Sequence, residues 1–263
     1  MKTAQNISSL VASVRANLFA QQRSLAAAED GAPAPQPIPF VTVSRQAGAG
    51  GRTFARHLAE RLNEVDPAEH PWVVWDRDLV ERAAHEHHIP ESMVAQLESY
   101  HRTAFDEILA ALFSVSEMPD LDENQLYRRV AYTIRGVARA GRAVIVGRGG
   151  VYATRGMLGG VHVRLVAPVE RRIKHLAELR HVPEKDAAAE VHRLDAEREK
   201  FHRRFSIGQA LLPEVFTITL NTAHFPEEQL VECVLPLIGR TSPQPIVTKP
   251  ATVEQMKPEA AHV

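Results

Sequence analysis

The chain has 263 residues, 44% of them hydrophobic, enough for one substantial core or a core with a small subdomain. Its 31 basic and 32 acidic side chains leave a formal charge of −1, which argues against nucleic acid or an anionic membrane as a general partner. The single cysteine, Cys233, excludes an intrachain disulfide or a cysteine-based zinc site, and its neighbours Leu230, Val231, Val234 and Leu235 read as the buried side of a late helix.

Residues 1–31 predict an amphipathic helix, with Ile7, Leu10, Val11, Val14, Leu18 and Leu25 at near-helical spacing and no Gly or Pro from 3 to 29. That helix offers a surface for a protein partner or for self-association. Charges and glutamines stand where a signal peptide would be apolar, and no run approaches the roughly 20 apolar residues of a membrane span, so a cytoplasmic location is expected. Residues 32–39 carry Pro33, Pro35, Pro37 and Pro39 and predict a semi-rigid linker.

The main domain is expected over 40–239. Short apolar runs at 40–44, 72–76, 143–147, 161–167 and 215–221 alternate with helical patterns. Strands that are apolar on both sides and separated by helices predict a parallel five-stranded sheet covered on both faces, a three-layer α/β/α sandwich. The helical pattern over 77–140 is too long for one crossover and predicts a substrate-side insertion. Residues 240–263, with four prolines and little periodicity, predict a disordered tail.

The first strand runs into Ser44-Arg45-Gln46-Ala47-Gly48-Ala49-Gly50-Gly51-Arg52-Thr53 and then into a helix packed through Phe54, Leu58 and Leu62. Glycines between strand and helix let successive N–H groups turn inward beside a helix N-terminus, which is how phosphates are held. Against G-x-x-x-x-G-K-[ST], Arg45 takes the place of the first glycine and Gly51 that of the lysine. The loss of the lysine means either an inactive site or a replacement charge from Arg52 or Arg45, and Thr53 offers a hydroxyl for Mg²⁺.

Further candidates lie downstream. Arg148 follows the third strand at the sheet edge where ligands of open α/β folds bind. A helix over 184–205 places Asp195 and Arg198 on the same face as Val191, Leu194 and Phe201, so an acid and a base are set into its apolar stripe. Asp76, at the end of the second strand, could bind Mg²⁺ through water, fix Arg52 or cap the next helix. His85, His87 and His88 put only two ligands on one helix face, a poor metal site.

These residues together resemble the cytidylate kinase-like family of P-loop proteins, whose opening motif has the form S-R-x-x-G-[SA]-G-G-R and also lacks the lysine. Trp75-Asp76-Arg77-Asp78 is similar to its second-strand motif, Val144-Ile145-Val146-Gly147-Arg148-Gly149 to V-I-x-G-R-G, Asp195 and Arg198 to the D-x-x-R of its lid, and Thr219-Leu220-Asn221-Thr222 to its closing strand. The resemblance implies a P-loop NTPase fold with a lid over 168–206. It implies ATP and Mg²⁺ as cofactors, held by Arg45, Gly48, Ala49, Gly50, Gly51, Arg52 and Thr53. It implies a small nucleotide acceptor, CMP or dCMP, held by Asp76, Arg148, Asp195 and Arg198, with Arg52, Arg148 and Arg172 as catalytic cations; the alternatives are a nucleotide-binding regulator without turnover and a kinase for another small phosphorylated metabolite. Gly149 stands where cytidylate kinases carry an aspartate.

Overall fold

A computed structural model describes residues 7–29, 36–86, 121–147, 149–205 and 213–239. Arg148, His87, His88, most of the 77–140 insertion between its outer helices, and the tail over 240–263 lie outside them. Five strands, β1 (Phe40–Arg45), β2 (Val73–Trp75), β3 (Ala143–Val146), β4 (Gly160–Val166) and β5 (Ile218–Asn221), form one parallel sheet in the order β2-β3-β1-β4-β5. The chain is thus a P-loop kinase fold with β1 at the centre, which puts the turn after Arg45 in the middle of the sheet's carboxyl edge.

Helices α1 (Ile7–Glu29), α2 (Gly51–Val65), α3 (Arg77–Glu86), α4 (Leu121–Ala140), the short α5 (Gly150–Ala153), α6 (Val169–Arg180), α7 (Glu184–Phe205) and α8 (Glu227–Val234) surround it. On one face Phe54, Leu58 and Leu62 of α2 and Leu230 and Val234 of α8 pack on Val41, Val43, Val163 and Leu165. On the other, Phe40 and Ile145 meet Val80 of α3, Ile134 and Val137 of α4, and Ala153 of α5. Helices α6 and α7 form a hairpin with its own small core of Leu176, Ala177, Ala187 and Val191, into which Ala47 of the glycine turn is also buried.

Helix α1 belongs to this body. Ile7, Val11, Val14 and Leu18 are buried against the α3–α4 layer, and Gln21 Nε2 donates to the Arg139 carbonyl at 2.8 Å. Truncating a fully buried leucine removes transfer energy and leaves a cavity, so Leu18→Ala should cost about 2–4 kcal/mol in a urea titration. A loss below ~0.5 kcal/mol would mean that α1 contributes little to the fold. Residues 36–39 have no regular structure, and the Pro39 carbonyl accepts a hydrogen bond from Arg142 N–H at 2.8 Å before β1 begins.

Three details differ from the sequence-based expectation. Residues 215–217 are not strand: Pro213–Val215 forms a 3₁₀ turn and pairing with β4 starts at Ile218, because Pro213 favours a turn and offers no N–H to a ladder. Strand β4 is not apolar on both sides but alternates, with Val161, Val163 and Leu165 buried and His162, Arg164 and Val166 only partly covered. Cys233 is exposed, since α8 turns Leu230, Val231 and Val234 inward and leaves position 233 with Glu232 outside.

His162 lies between β1 and β4, its Nδ1 2.8 Å from Thr42 Oγ1, and burial pushes its imidazole down to about 4. Between the ordinary value near 6.5 and that value, the unfolded chain binds a proton that the folded chain refuses. Stability from this group is complete above about pH 6.5 and is lost as pH falls toward 4. Between pH 7.5 and pH 5 His162 should therefore account for a loss of about 2 kcal/mol in denaturant unfolding, read as the difference between the parent chain and a His162→Gln chain.

Candidate active site

Beyond β1, Gln46 is fixed from both ends: its N–H donates to Leu165 O at 3.1 Å, and its side-chain oxygen accepts Ala167 N–H at 3.0 Å. The backbone then curls, with Ala49 N–H returning to Gln46 O at 3.2 Å and both Gly48 and Gly50 at φ +76°. The first bond of α2 runs from Phe54 N–H to Gly50 O, so the N–H groups of Gly51, Arg52 and Thr53 lie ahead of the helical ladder at its positive end. Ala49 is buried and presents backbone only, and Thr53 is half-buried in the first turn. A row of free N–H groups at a helix N-terminus is the arrangement that suits an anion such as phosphate.

The Arg45 side chain lies across the position that lacks the lysine. A Cβ on Gly51 would lie 2.8 Å from Arg45 Cγ, and one on Gly147 would collide with Arg45 Nη1. The side chain thus leaves β1, passes over the start of α2 and ends at the carboxyl edge of β3. Gly51 leaves room for the aliphatic stem of this side chain and Gly147 for its guanidinium. Arg52, expected as a catalytic cation, instead has a largely exposed side chain turned toward α3, 3.6 Å from Asp78 and 4.0 Å from Asp76. At that exposure such pairs are worth little. Asp76 caps α3, accepting Leu79 N–H at 3.0 Å, so of its three expected roles the cap is the one bonded.

The α6–α7 hairpin is latched to the loop. Arg172 is buried, with Nε donating to Ala167 O at 2.9 Å and Nη1 to Ala47 O at 3.0 Å and Asp195 Oδ2 at 2.5 Å. Asp195 Oδ1 accepts Ala47 N–H at 2.7 Å. Arg198 Nη1 reaches the Arg45 carbonyl at 3.1 Å. Gly48 passes so close to the Arg172 backbone that a Cβ there would collide with the Arg172 carbonyl. Arg172, expected as a catalytic cation, and Asp195, expected at the acceptor, thus both bond the loop here: the Arg172 guanidinium is buried among three acceptors, and both Asp195 oxygens accept hydrogen bonds.

Beside the latch the chain collects cations and rings. Arg164 projects from β4 over the Phe216 ring at 5.3 Å. Burial lowers its pKa, opposed by Tyr152 and Asp195. Arg198 is lowered in the same way, with Asp195 opposing. His202 of α7 stacks at a tilt on Tyr152, ring centres 5.7 Å apart, and falls to about 4 through burial and the charges of Arg164, Arg198 and Arg45. Tyr152 is raised to about 12 by burial. Gly149, at φ +69°, sits under Phe201, whose ring would be 3.0 Å from a Cβ there. Position 149 therefore has no room for the aspartate of cytidylate kinases unless Phe201 moves. Across the loop, Glu227 is bonded to His57 and approaches Gly50, with Oε2 3.9 Å from where a Cβ would stand.

The model of the cytidylate kinase-like family matches residues 40–224, more than half of the chain. The chain belongs to that family. Its kinase-like domain is similar in fold to a crystal structure of an uncharacterized protein from Eubacterium ventriosum, at 18% identity and a TM-score of 0.57 over 77% of this chain and 98% of that one. It also aligns with shikimate kinase from Acinetobacter baumannii in complex with shikimate, at 14% identity and a TM-score of 0.38 over 76% and 92%. No curated protein sequence matches the chain.

Among the described residues no helix is long and apolar enough to cross a membrane, and no cluster of His, Cys, Asp or Glu is spaced for a metal ion. The structure brings Arg45, Gly48, Ala49, Gly50, Gly51, Thr53, Asp195 and Arg198 to one place, with Arg52 and Asp76 at its rim. Arg164, Tyr152, Phe201 and His202 join them and were not legible as site residues. The available signal was the alternation of His162 and Arg164 in an otherwise apolar strand, which marks one face as unlike the other.

Proposed function

We propose that this family member is an ATP-dependent phosphotransferase that moves the terminal phosphoryl group of Mg²⁺·ATP to a nucleoside monophosphate, with CMP or dCMP as the acceptor. The observation that carries the reading is Arg45: its aliphatic stem lies over Gly51 and its guanidinium ends against Gly147 at the carboxyl edge of the sheet, so a cation stands beside the loop although the loop lacks the usual lysine. Bound Mg²⁺·ATP supplies the transferable group and a divalent charge. The N–H groups of Gly51, Arg52 and Thr53 would hold phosphate oxygens, and the Thr53 hydroxyl would be the protein's ligand to the metal. Arg45 offsets the negative charge that spreads over the oxygens as transfer proceeds, the term on which phosphoryl transfer chiefly depends. The α6–α7 hairpin, tied to the loop through Arg172 and Asp195, limits water beside it.

The test is a phosphotransfer assay with Mg²⁺·ATP against CMP, dCMP, UMP, AMP and GMP, with Arg45→Ala as the inactive control. Because the Phe201 ring fills the position above Gly149 where a base- or sugar-directed carboxylate would stand, little hydrogen-bond discrimination is available from that wall. Apolar and stacking contacts separate similar ligands by only about 10- to 200-fold. CMP and UMP should accordingly differ in kcat/KM by less than ~200-fold. No turnover with any of the five, alongside tight ATP binding, would replace the kinase reading with a nucleotide sensor.

A further inference from the structure

Arg135 takes no part in the transfer, yet among the described residues it is the largest fully buried side chain, at 0% exposure on α4. A guanidinium removed from water carries a penalty of several kcal/mol even after relaxation, which an apolar side chain of similar volume would avoid. What the cation adds is a directed bond: its Nη1 donates to Ala153 O at 2.6 Å. Ala153 is the last residue of α5, where carbonyls lie beyond the helix's own ladder. Helix α5 in turn holds the residues after β3. Tyr152 and Ala153 N–H both donate to Gly149 O, at 2.8 and 2.9 Å, and Gly150 N–H donates to Gly147 O at 3.0 Å. The buried Thr154 hydroxyl donates to Gly150 O at 2.7 Å. Gly150 lies close on the sheet, where a Cβ would stand 3.4 Å from the Thr42 side chain and 3.5 Å from Ile145. Gly147 is the seat of the Arg45 guanidinium, and Gly149 is the seat of the Phe201 ring. A continuous path of bonds thus runs from α4 through α5 to two side chains of the candidate site.

We propose that Arg135 is a positioning residue: through α5 it holds Gly147 and Gly149 in place, and so sets where the Arg45 guanidinium and the Phe201 ring stand. Its effect on transfer rests on the phosphotransferase reading; its hold on Arg45 does not. An apolar side chain at 135 fills the same space but leaves α5 free to shift along the sheet, and the cation beside the loop shifts with it.

The full chain is followed by amide hydrogen exchange, with Arg135→Met as the variant that fills the space and loses the donor. The N–H groups of Gly150, Tyr152, Ala153 and Thr154 should exchange at least about tenfold faster, while those of Phe40 and Gln46, bonded to Gly159 O and Leu165 O, keep their rates. The Arg45 Nε–H resonance, assigned by its loss in Arg45→Ala, should shift in Arg135→Met, and Arg135→Lys, which keeps a buried cation, should do less on both counts. In the transfer assay Arg135→Met should lower kcat at least about tenfold in the parent chain but less than about twofold once Arg45 is alanine, because it acts through Arg45. A side chain that only stabilises the fold would cost the same in either background. Unchanged exchange of the α5 amides overturns the proposal, as does an equal kcat loss in the two backgrounds or no loss in either. If the parent chain transfers nothing, the kinase reading falls and the Arg45 resonance decides: a shift keeps Arg135 as its brace, and an unmoved resonance removes it. If Arg135→Met fails to fold, the comparisons are made in Arg135→Gln, whose amide is too short to reach Ala153, and unchanged α5 exchange there overturns the proposal.

Discussion

Replacing Arg45 by alanine should lower phosphoryl transfer by about 10²- to 10³-fold, the loss typical of removing one preorganised charge from a developing oxyanion. Arg52→Ala should cost less than ~10-fold, since Arg52 is largely exposed and its partners, Asp78 and Asp76, lie on and before α3. The contrast is informative because a sequence alignment alone points at Arg52, the residue directly after the lysine position. Steady-state kinetics with ATP and the best acceptor decide it. The effect of Arg45→Ala should fall mainly on kcat, with the thermal midpoint changed by only a few degrees. Equal losses in the two variants, or a larger one in Arg52→Ala, would return the role to Arg52. Gly51→Lys tests the same geometry from the other side. The restored lysine collides with the Arg45 side chain at its root, and should weaken nucleotide binding in the chain that keeps Arg45 more than in the double variant Gly51→Lys with Arg45→Ala.

Arg172→Ala should destabilise the protein by about 3 kcal/mol. Deleting one partner of a buried charge pair leaves the other uncompensated, and typical costs are 3–5 kcal/mol; the lower end applies because the Asp195 side chain is 30% exposed. The same change frees Ala47 O and Ala167 O from their donor and loosens the turn that aims the loop N–H groups. Chemical denaturation, together with nucleotide affinity, separates this from the role that the resemblance implied. A latch loses stability and nucleotide affinity together, whereas a cation acting only on the moving phosphoryl group would lose kcat with both unchanged. Asp195→Asn should be milder, as an amide oxygen still accepts from one of the two donors.

The sheet was legible because its strands are short apolar runs between helical segments, and the strand ends were off by only a few residues. The loop was legible for a physical reason too: few arrangements other than a tight strand-to-helix turn require Gly48, Gly50 and Gly51 so close together. What a linear pattern could not convey is direction. Arg45, Arg52 and Arg172 are all arginines near a glycine turn, and only their packing distinguishes a side chain crossing Gly51 from one turned outward and one buried as a tie. Asp195 and Arg198 were correctly placed on one face of α7, but the partner of that face is the backbone at Arg45 and Ala47, almost 150 residues earlier. Arg164 was passed over as part of an apolar strand. Cys233 was misread because adjacent Leu230 and Val231 suggested a broad buried face, whereas α8 is narrow and turns position 233 away.

The packing of α1 has a consequence during synthesis. Leu18 is made early, but Ile134 and Val137, in the layer against which it is buried, come more than 110 residues later. At about 5–20 residues per second, the apolar stripe of α1 waits on the order of ten seconds before that layer exists. Through that interval the first helix is an exposed adhesive surface tethered to an incomplete chain, and the nascent protein depends on slow collision with other chains, or on a holding chaperone, more than a sheet nucleus that began at β1 alone would.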